Sequence, residues 1–112
     1  IVVMFCAFEG PPRIVRLHGR GRVVPPGDRA FAALAAWFPP RDGVRCVITI
    51  AVERVSDSCG YAVPLMNFVA EREALTKWTQ KKGAAGIVDY QRQKNARSLD
   101  GLSGVDWLTS SD

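Results

Sequence analysis

Arg16, His18, Arg20 and Arg22 alternate along a β-rich stretch, and alternation at period two sets all four on one face of a strand. A row of guanidinium groups suits the holding of an anion such as a phosphate. His18 is the single histidine. A histidine-based metal cluster or a Ser-His-Asp triad would have to rest on it, and no spacing supports either. The stripe therefore reads first as the solvated or subunit-facing side of an antiparallel strand. A second run, Ser58 to Tyr61, sets a hydroxyl, a thiol, a glycine and an aromatic ring side by side. Cys59 has neither a helix N-terminus nor a cationic neighbour to activate it, so it reads as a packed or weakly reactive thiol. Gly60 reads as a turn residue that would also tolerate close approach of a ligand.

Composition narrows the partners. The 112 residues are 47% hydrophobic and 23% charged, which suits one globular domain and excludes a disordered, collagenous or disulfide-dense chain. The net charge of +4 is carried by the first half: residues 1–56 hold eight basic and four acidic side chains, against seven of each in residues 57–112. That excess suits a phosphate-bearing small molecule. It lacks the Lys/Arg runs with interleaved aromatics that nucleic acid would require. Cys6, Cys46 and Cys59 are odd in number and match no zinc or redox spacing, which points to a reducing, cytoplasmic compartment. The longest apolar stretch, nine residues from Ala30 to Phe38, is far short of a bilayer span, so no membrane segment is expected. Ile1 opens directly on a β-rich run, and the chain reads as a fragment.

Prolines punctuate the elements that must position these residues. Six of the seven fall in pairs, at 11–12, 25–26 and 39–40, where neither a helix nor a central strand can continue. Ile1 to Phe8 is nearly all apolar and predicts a strand buried on both sides. After a turn at Glu9 to Pro12, Arg13 to Val24 predicts its antiparallel partner. The basic stripe lies on one face of that partner; Val15, Leu17 and Val23 lie on the other, with Gly19 and Gly21 leaving room for close approach or a bulge. Gly27-Asp28 offers a cap for a short helix through Phe31, Leu34, Ala35 and Phe38. Val44 to Val55 predicts a third strand, Ser56 to Pro64 a loop, Glu71 to Lys82 a helix ended by Gly83, and Ala84 to Asn95 another helix. Trp78 and Tyr90 recur at helical spacing with Leu75 and Ile87 and read as packing residues, with Lys77, Lys81, Lys82, Arg92 and Lys94 solvated. The tail from Arg97 reads as irregular. The fold class is α+β, strands first and helices later. A hairpin plus one strand cannot close a barrel, so the first strand is expected to lack a neighbour on one side, and this polypeptide alone to borrow an edge from a partner or aggregate.

Three segments together are specific: Val3 to Gly21, containing Cys6-Ala-Phe-Glu-Gly-Pro-Pro12; Asp57 to Met66, containing Ser58-Cys-Gly-Tyr-Ala-Val-Pro64; and Lys94-Asn-Ala-Arg-Ser-Leu-Asp-Gly-Leu102. They resemble the pyridoxamine 5′-phosphate oxidase family, and within it the branch in which such a turn precedes a Ser-Cys-Gly-Tyr-x-Val-Pro loop. The resemblance covers nearly the whole chain, as the C-terminal portion of a domain whose first strands are missing. It implies an antiparallel split β-barrel homodimer with FMN, or in some relatives a deazaflavin or haem, at the subunit interface. It also implies that the strand beginning at Arg13 starts near the flavin phosphate, and that Ser58, Cys59, Gly60 and Tyr61 lie near the isoalloxazine ring across the interface. A guanidinium fork suits a phosphate, and an aromatic face suits a flat ring.

The family's pyridoxamine phosphate oxidases proper carry a Trp near the ring and an Arg/His-bearing substrate motif. Ser58 to Pro64 has no Trp, Arg or His, which sets the chain apart from vitamin B6 oxidation. The expected activity is therefore a flavin-dependent oxidoreductase acting on an unidentified small organic molecule, the flavin supplying the redox chemistry and the protein its placement. A non-catalytic flavin or haem binder on the same fold and an inactive dimerisation fragment are the rival readings. Docking onto the barrel through Leu99 and Leu102 is the expectation for the tail.

Overall fold

The computed structural model describes residues 1–105. They form β1 (Val2–Cys6), β2 (Arg13–Val24), α1 (Phe31–Ala35), β3 (Val47–Cys59) and α2 (Ala74–Asn95). The chain divides into two compact units, one of Ile1–Val23 and Ile48–Glu71, the other of Val24–Val47 and the segment from Arg72 onward. Of the α+β split barrel expected from the sequence, the coarser part is what forms: an antiparallel three-stranded sheet and a C-terminal helix.

The first unit is a sheet in the order β1-β2-β3. β1 and β2 are an antiparallel hairpin in the register Val2↔His18, Met4↔Arg16 and Cys6↔Ile14. Ala7 N–H donates to the Arg13 carbonyl at 2.9 Å and closes the turn between them. Opposed residues share a face, so the apolar Val2 and Met4 lie beside His18 and Arg16. Contacts between β2 and β3 run in opposite chain senses, Arg16 to Ser58 at one end and Arg22 to Thr49 at the other. At Gly19 a Cβ would collide with the Ala51 carbonyl, so the approach of these two strands depends on glycine.

Two expectations about the sheet are corrected. β1 is not buried on both sides: Val2 and Met4 on one face and Phe5 on the other are all exposed, so neither face of this edge strand is covered among the described residues. β3 begins later and ends later than its β-branched run, and so takes in Ser58 and Cys59, which were expected in a loop. Pairing with the twelve-residue β2 overrides the turn preference of Ser56-Asp57-Ser58, since strand propensity is mostly a matter of neighbours.

The second unit holds the buried side chains. Val24, Ile87 and Val105 are its apolar core, joined by the polar Thr79 and Gln91. Asp28 Oδ1 accepts from the Ala30 amide at 2.8 Å, a turn that leads into α1, and the helix is over before Pro39. Gly83 breaks α2 at φ 68°, ψ 169°, as its position between two helical patterns predicts. Around the break, Trp78 meets Tyr90 edge-on at 4.9 Å, and Lys82 Nζ sits 5.8 and 5.9 Å from the two ring centroids. Lys82, expected to be merely solvated, therefore holds a cation–π position. Leu75, expected to pack with these rings, is 65% exposed.

The tail from Arg97 is a tight turn as far as it is described. Ser98 N–H donates to the Leu102 carbonyl at 2.9 Å, and Arg97 bridges Ser103. Leu99 and Leu102 are both exposed, and the turn is held by its own hydrogen bonds. The stretch beyond 105 lies outside the described residues.

Candidate functional site

The five residues singled out from the sequence, Arg13, Ser58, Cys59, Gly60 and Tyr61, all belong to the sheet unit. Arg13 opens β2, Ser58 and Cys59 end β3, and Gly60 and Tyr61 lead into the turn that follows. Antiparallel pairing makes the start of β2 and the end of β3 neighbours.

Gly60, directly after β3, is buried at this end of the sheet. A Cβ there would lie 2.7 Å from the Arg13 amide nitrogen and 3.1 Å from the Pro12 carbonyl carbon, so any side chain would push the two segments apart. The Gly60 carbonyl accepts from Val63 N–H at 2.8 Å, and Met66 N–H donates to the Phe8 carbonyl at 3.1 Å. The segment after β3 is thus tied back onto the hairpin turn before Arg13.

The side chains here are open. Among the described residues the Arg13 guanidinium has neither a hydrogen bond nor an ion pair, and it is exposed. Tyr61 is 84% exposed and Cys59 is a free, exposed thiol. Ser58 Oγ accepts from Arg16 Nη1 at 3.0 Å. The structure therefore brings Arg13 against Gly60 and links Ser58 to Arg16, while Tyr61 presents an unstacked ring.

Sequence reasoning set Arg16 and His18 aside and did not identify their partners. Arg54 Nη2 approaches His18 Nε2 at 3.0 Å, and Arg20 Nε pairs with Glu53 Oε1 at 2.8 Å. The stripe is thus a cross-strand set with both donors and acceptors, rather than a bare row of cations. Its one sequence signal is Glu53-Arg54 lying in a run of β-branched residues, which cannot be matched to β2 without the register.

At this end of the sheet the guanidinium of Arg13, without a partner among the described residues, suits the phosphate of a flavin, whereas strand alternation sets Arg16, with Ser58 bonded to it, on the other face. Tyr61 offers a face for a ring. Among the described residues no group of three or more His, Cys, Asp or Glu could hold a metal ion, and no helix is long and apolar enough to cross a membrane. An open cavity within the helical unit contains none of the five residues.

The chain is similar to a protein of Aspergillus flavus named pyridoxamine 5′-phosphate oxidase family protein ustO, with 32% identity over 120 aligned positions. The alignment takes in 92% of this chain and 47% of the relative, so the chain spans about half the length of the curated protein it matches. No protein-family profile matches the chain, and no solved structure matches it.

Proposed function

This chain is a homologue of a pyridoxamine 5′-phosphate oxidase family protein, as its motifs suggest, and on that footing we propose that it carries part of the FMN site of a flavin-dependent oxidoreductase. The fold we infer for the assembled protein is a split β-barrel homodimer with the cofactor at the subunit interface, acting on a small organic substrate. In this reading Arg13 holds the flavin phosphate, and Ser58 to Tyr61 border the ring. When bound, the flavin supplies the redox chemistry; this chain's residues bind and orient it.

The observation that carries the reading is the packing of Gly60 on the Arg13 backbone. The two segments that the family resemblance assigns separately to phosphate and ring are adjacent at one end of a sheet. The unpartnered guanidinium of Arg13 adds a donor suited to a dianion.

The test is an absorbance spectrum and gel filtration of the full-length protein with added FMN. A flavin band travelling with a dimer is the expected result. Arg13→Ala should weaken FMN about tenfold, the loss of roughly one charge-assisted contact. Unchanged affinity would remove Arg13 from the site, and a protein indifferent to FMN would overturn the reading.

A non-catalytic flavin or haem binder is the second reading, favoured by one observation: the segment from Ser58 to Pro64 offers no Trp, Arg or His toward a substrate. Reduction of bound flavin by a nicotinamide donor, followed by substrate-dependent reoxidation, would exclude it.

A further inference from the structure

Within the helical unit, the 42–44 turn and the two halves of α2 enclose an open cavity of about 400 Å³. That volume is in the range of small-molecule pockets. Val44, Ala84, Ile87 and Val88 are apolar members of its wall, and Asp42, Gln80 and Gln91 are the carboxylate- and amide-bearing ones. Gly83 also lines it, and the break in α2 at that residue leaves open space where a side chain would stand.

Gln91 is the informative residue. Its side chain is 8% exposed, and its Nε2 donates to the Gly43 carbonyl at 2.9 Å. A carbonyl can only accept, so this bond fixes which end of the amide is nitrogen. The other end, Oε1, has no partner among the described residues. A buried acceptor without a donor is uncommon and costly, and in a cavity wall it marks the place for a donor from outside the chain. Asp42 lines the same cavity with a carboxylate that has no ion pair among the described residues. Thr79, the other buried polar residue in the wall, is already satisfied by donating to the Thr76 carbonyl at 2.9 Å.

We propose that this cavity binds a small organic amine: an apolar body of about one ring against the wall, with its N–H groups directed to Gln91 Oε1 and the Asp42 carboxylate. Two acceptors, one of them anionic, with no cation in the wall select an ammonium over a carboxylate or phosphate. The site is independent of the flavin reading, since it shares no residue with Arg13 or Ser58 to Tyr61.

Benzylamine is a suitable probe, with phenylacetate as the same ring carrying the opposite charge. Titration of the full-length protein, followed by ligand-detected NMR, should give a Kd for benzylamine on the order of 1 mM, and at least tenfold weaker binding of phenylacetate. Asp42→Asn, at an exposed position where folding is not at risk, should weaken benzylamine about fivefold. Ala84→Trp, which fills the cavity from a solvent-facing helix position, should abolish binding while a folded near-ultraviolet signal from the Trp78–Tyr90 pair persists. Equal affinity for the two probes, or benzylamine binding untouched by both substitutions, would overturn the proposal.

Discussion

The sheet unit and the helical unit of this chain are stabilised in different ways. The helical unit contains every buried hydrophobic side chain among the described residues, Val24, Ile87 and Val105. The sheet unit buries none, and exposes Val2, Met4, Phe5, Ile48, Val52 and Val55 along its strands. Its cohesion comes from backbone ladders and cross-strand polar pairs. Apolar side chains left in water on a sheet are surface that a partner would cover, at roughly 25 cal/mol for each Å² removed from solvent. The helical unit also exposes large apolar side chains, Trp37, Phe38, Leu75 and Leu99 among them, so the contrast is that it has a small buried core of its own whereas the sheet, among the described residues, has none.

The harshest way to break this contrast is to attack each unit at its own support. Gly19→Val places a side chain where the Ala51 carbonyl stands, so β2 and β3 must separate. A loss of about 3 kcal/mol is expected in urea unfolding, with strand circular dichroism lost first. In the helical unit, Ile87→Ala removes a side chain that is 6% exposed, and about 2 to 3 kcal/mol should follow, with the strand signal retained. If Ile87→Ala melted the sheet as readily as Gly19→Val does, the two units would be one cooperative body and the contrast would fail.

Several elements were legible in the sequence, whereas the division into two units was not, since the composition pointed to one domain, and the misses have physical causes. The bounds of β2 follow from proline pairs on both sides, and the break at Gly83 follows from a glycine between two helical patterns, because both signals are local. The end of β3 was missed because Ser56-Asp57-Ser58 prefers turns in isolation and becomes strand only against β2. Gly60 was legible as a turn residue, but what it packs against, the backbone of Pro12 and Arg13, was not. The roles of Arg54 and Glu53 were invisible, since they depend on a register that no single strand encodes. Burial was the least legible property: an apolar run such as Ile1 to Phe8 says that a strand wants cover, not that this chain provides it.

A gentler probe concerns the Trp78, Tyr90 and Lys82 cluster. The edge-on ring pair and the ammonium near both centroids are partly exposed, which limits the cation's share to about 0.5 kcal/mol. Lys82→Met, which keeps the stem, should lower stability by about that amount in urea unfolding and leave FMN binding unchanged. A loss of flavin would show that the helical unit communicates with the sheet.

The smallest expected effect is the most diagnostic of what covers the sheet. Arg20 and Glu53 meet at 2.8 Å with side chains 85% and 56% exposed. A pair so open to water is screened, and its coupling in a double-mutant cycle should not exceed about 0.5 kcal/mol. It should shrink further as salt rises to about 1 M, where the Debye length falls to about 3 Å. The same cycle run on the full-length protein reads the surroundings of that face directly. If another part of the protein or a second subunit lies over it, the pair is desolvated, the cost of breaking one partner grows, and the coupling becomes larger and insensitive to salt. A coupling above about 1.5 kcal/mol that survives high salt would mean that this polar stripe is interior in the assembled protein. The exposed strands beside it would then be half of an interface rather than a solvated surface.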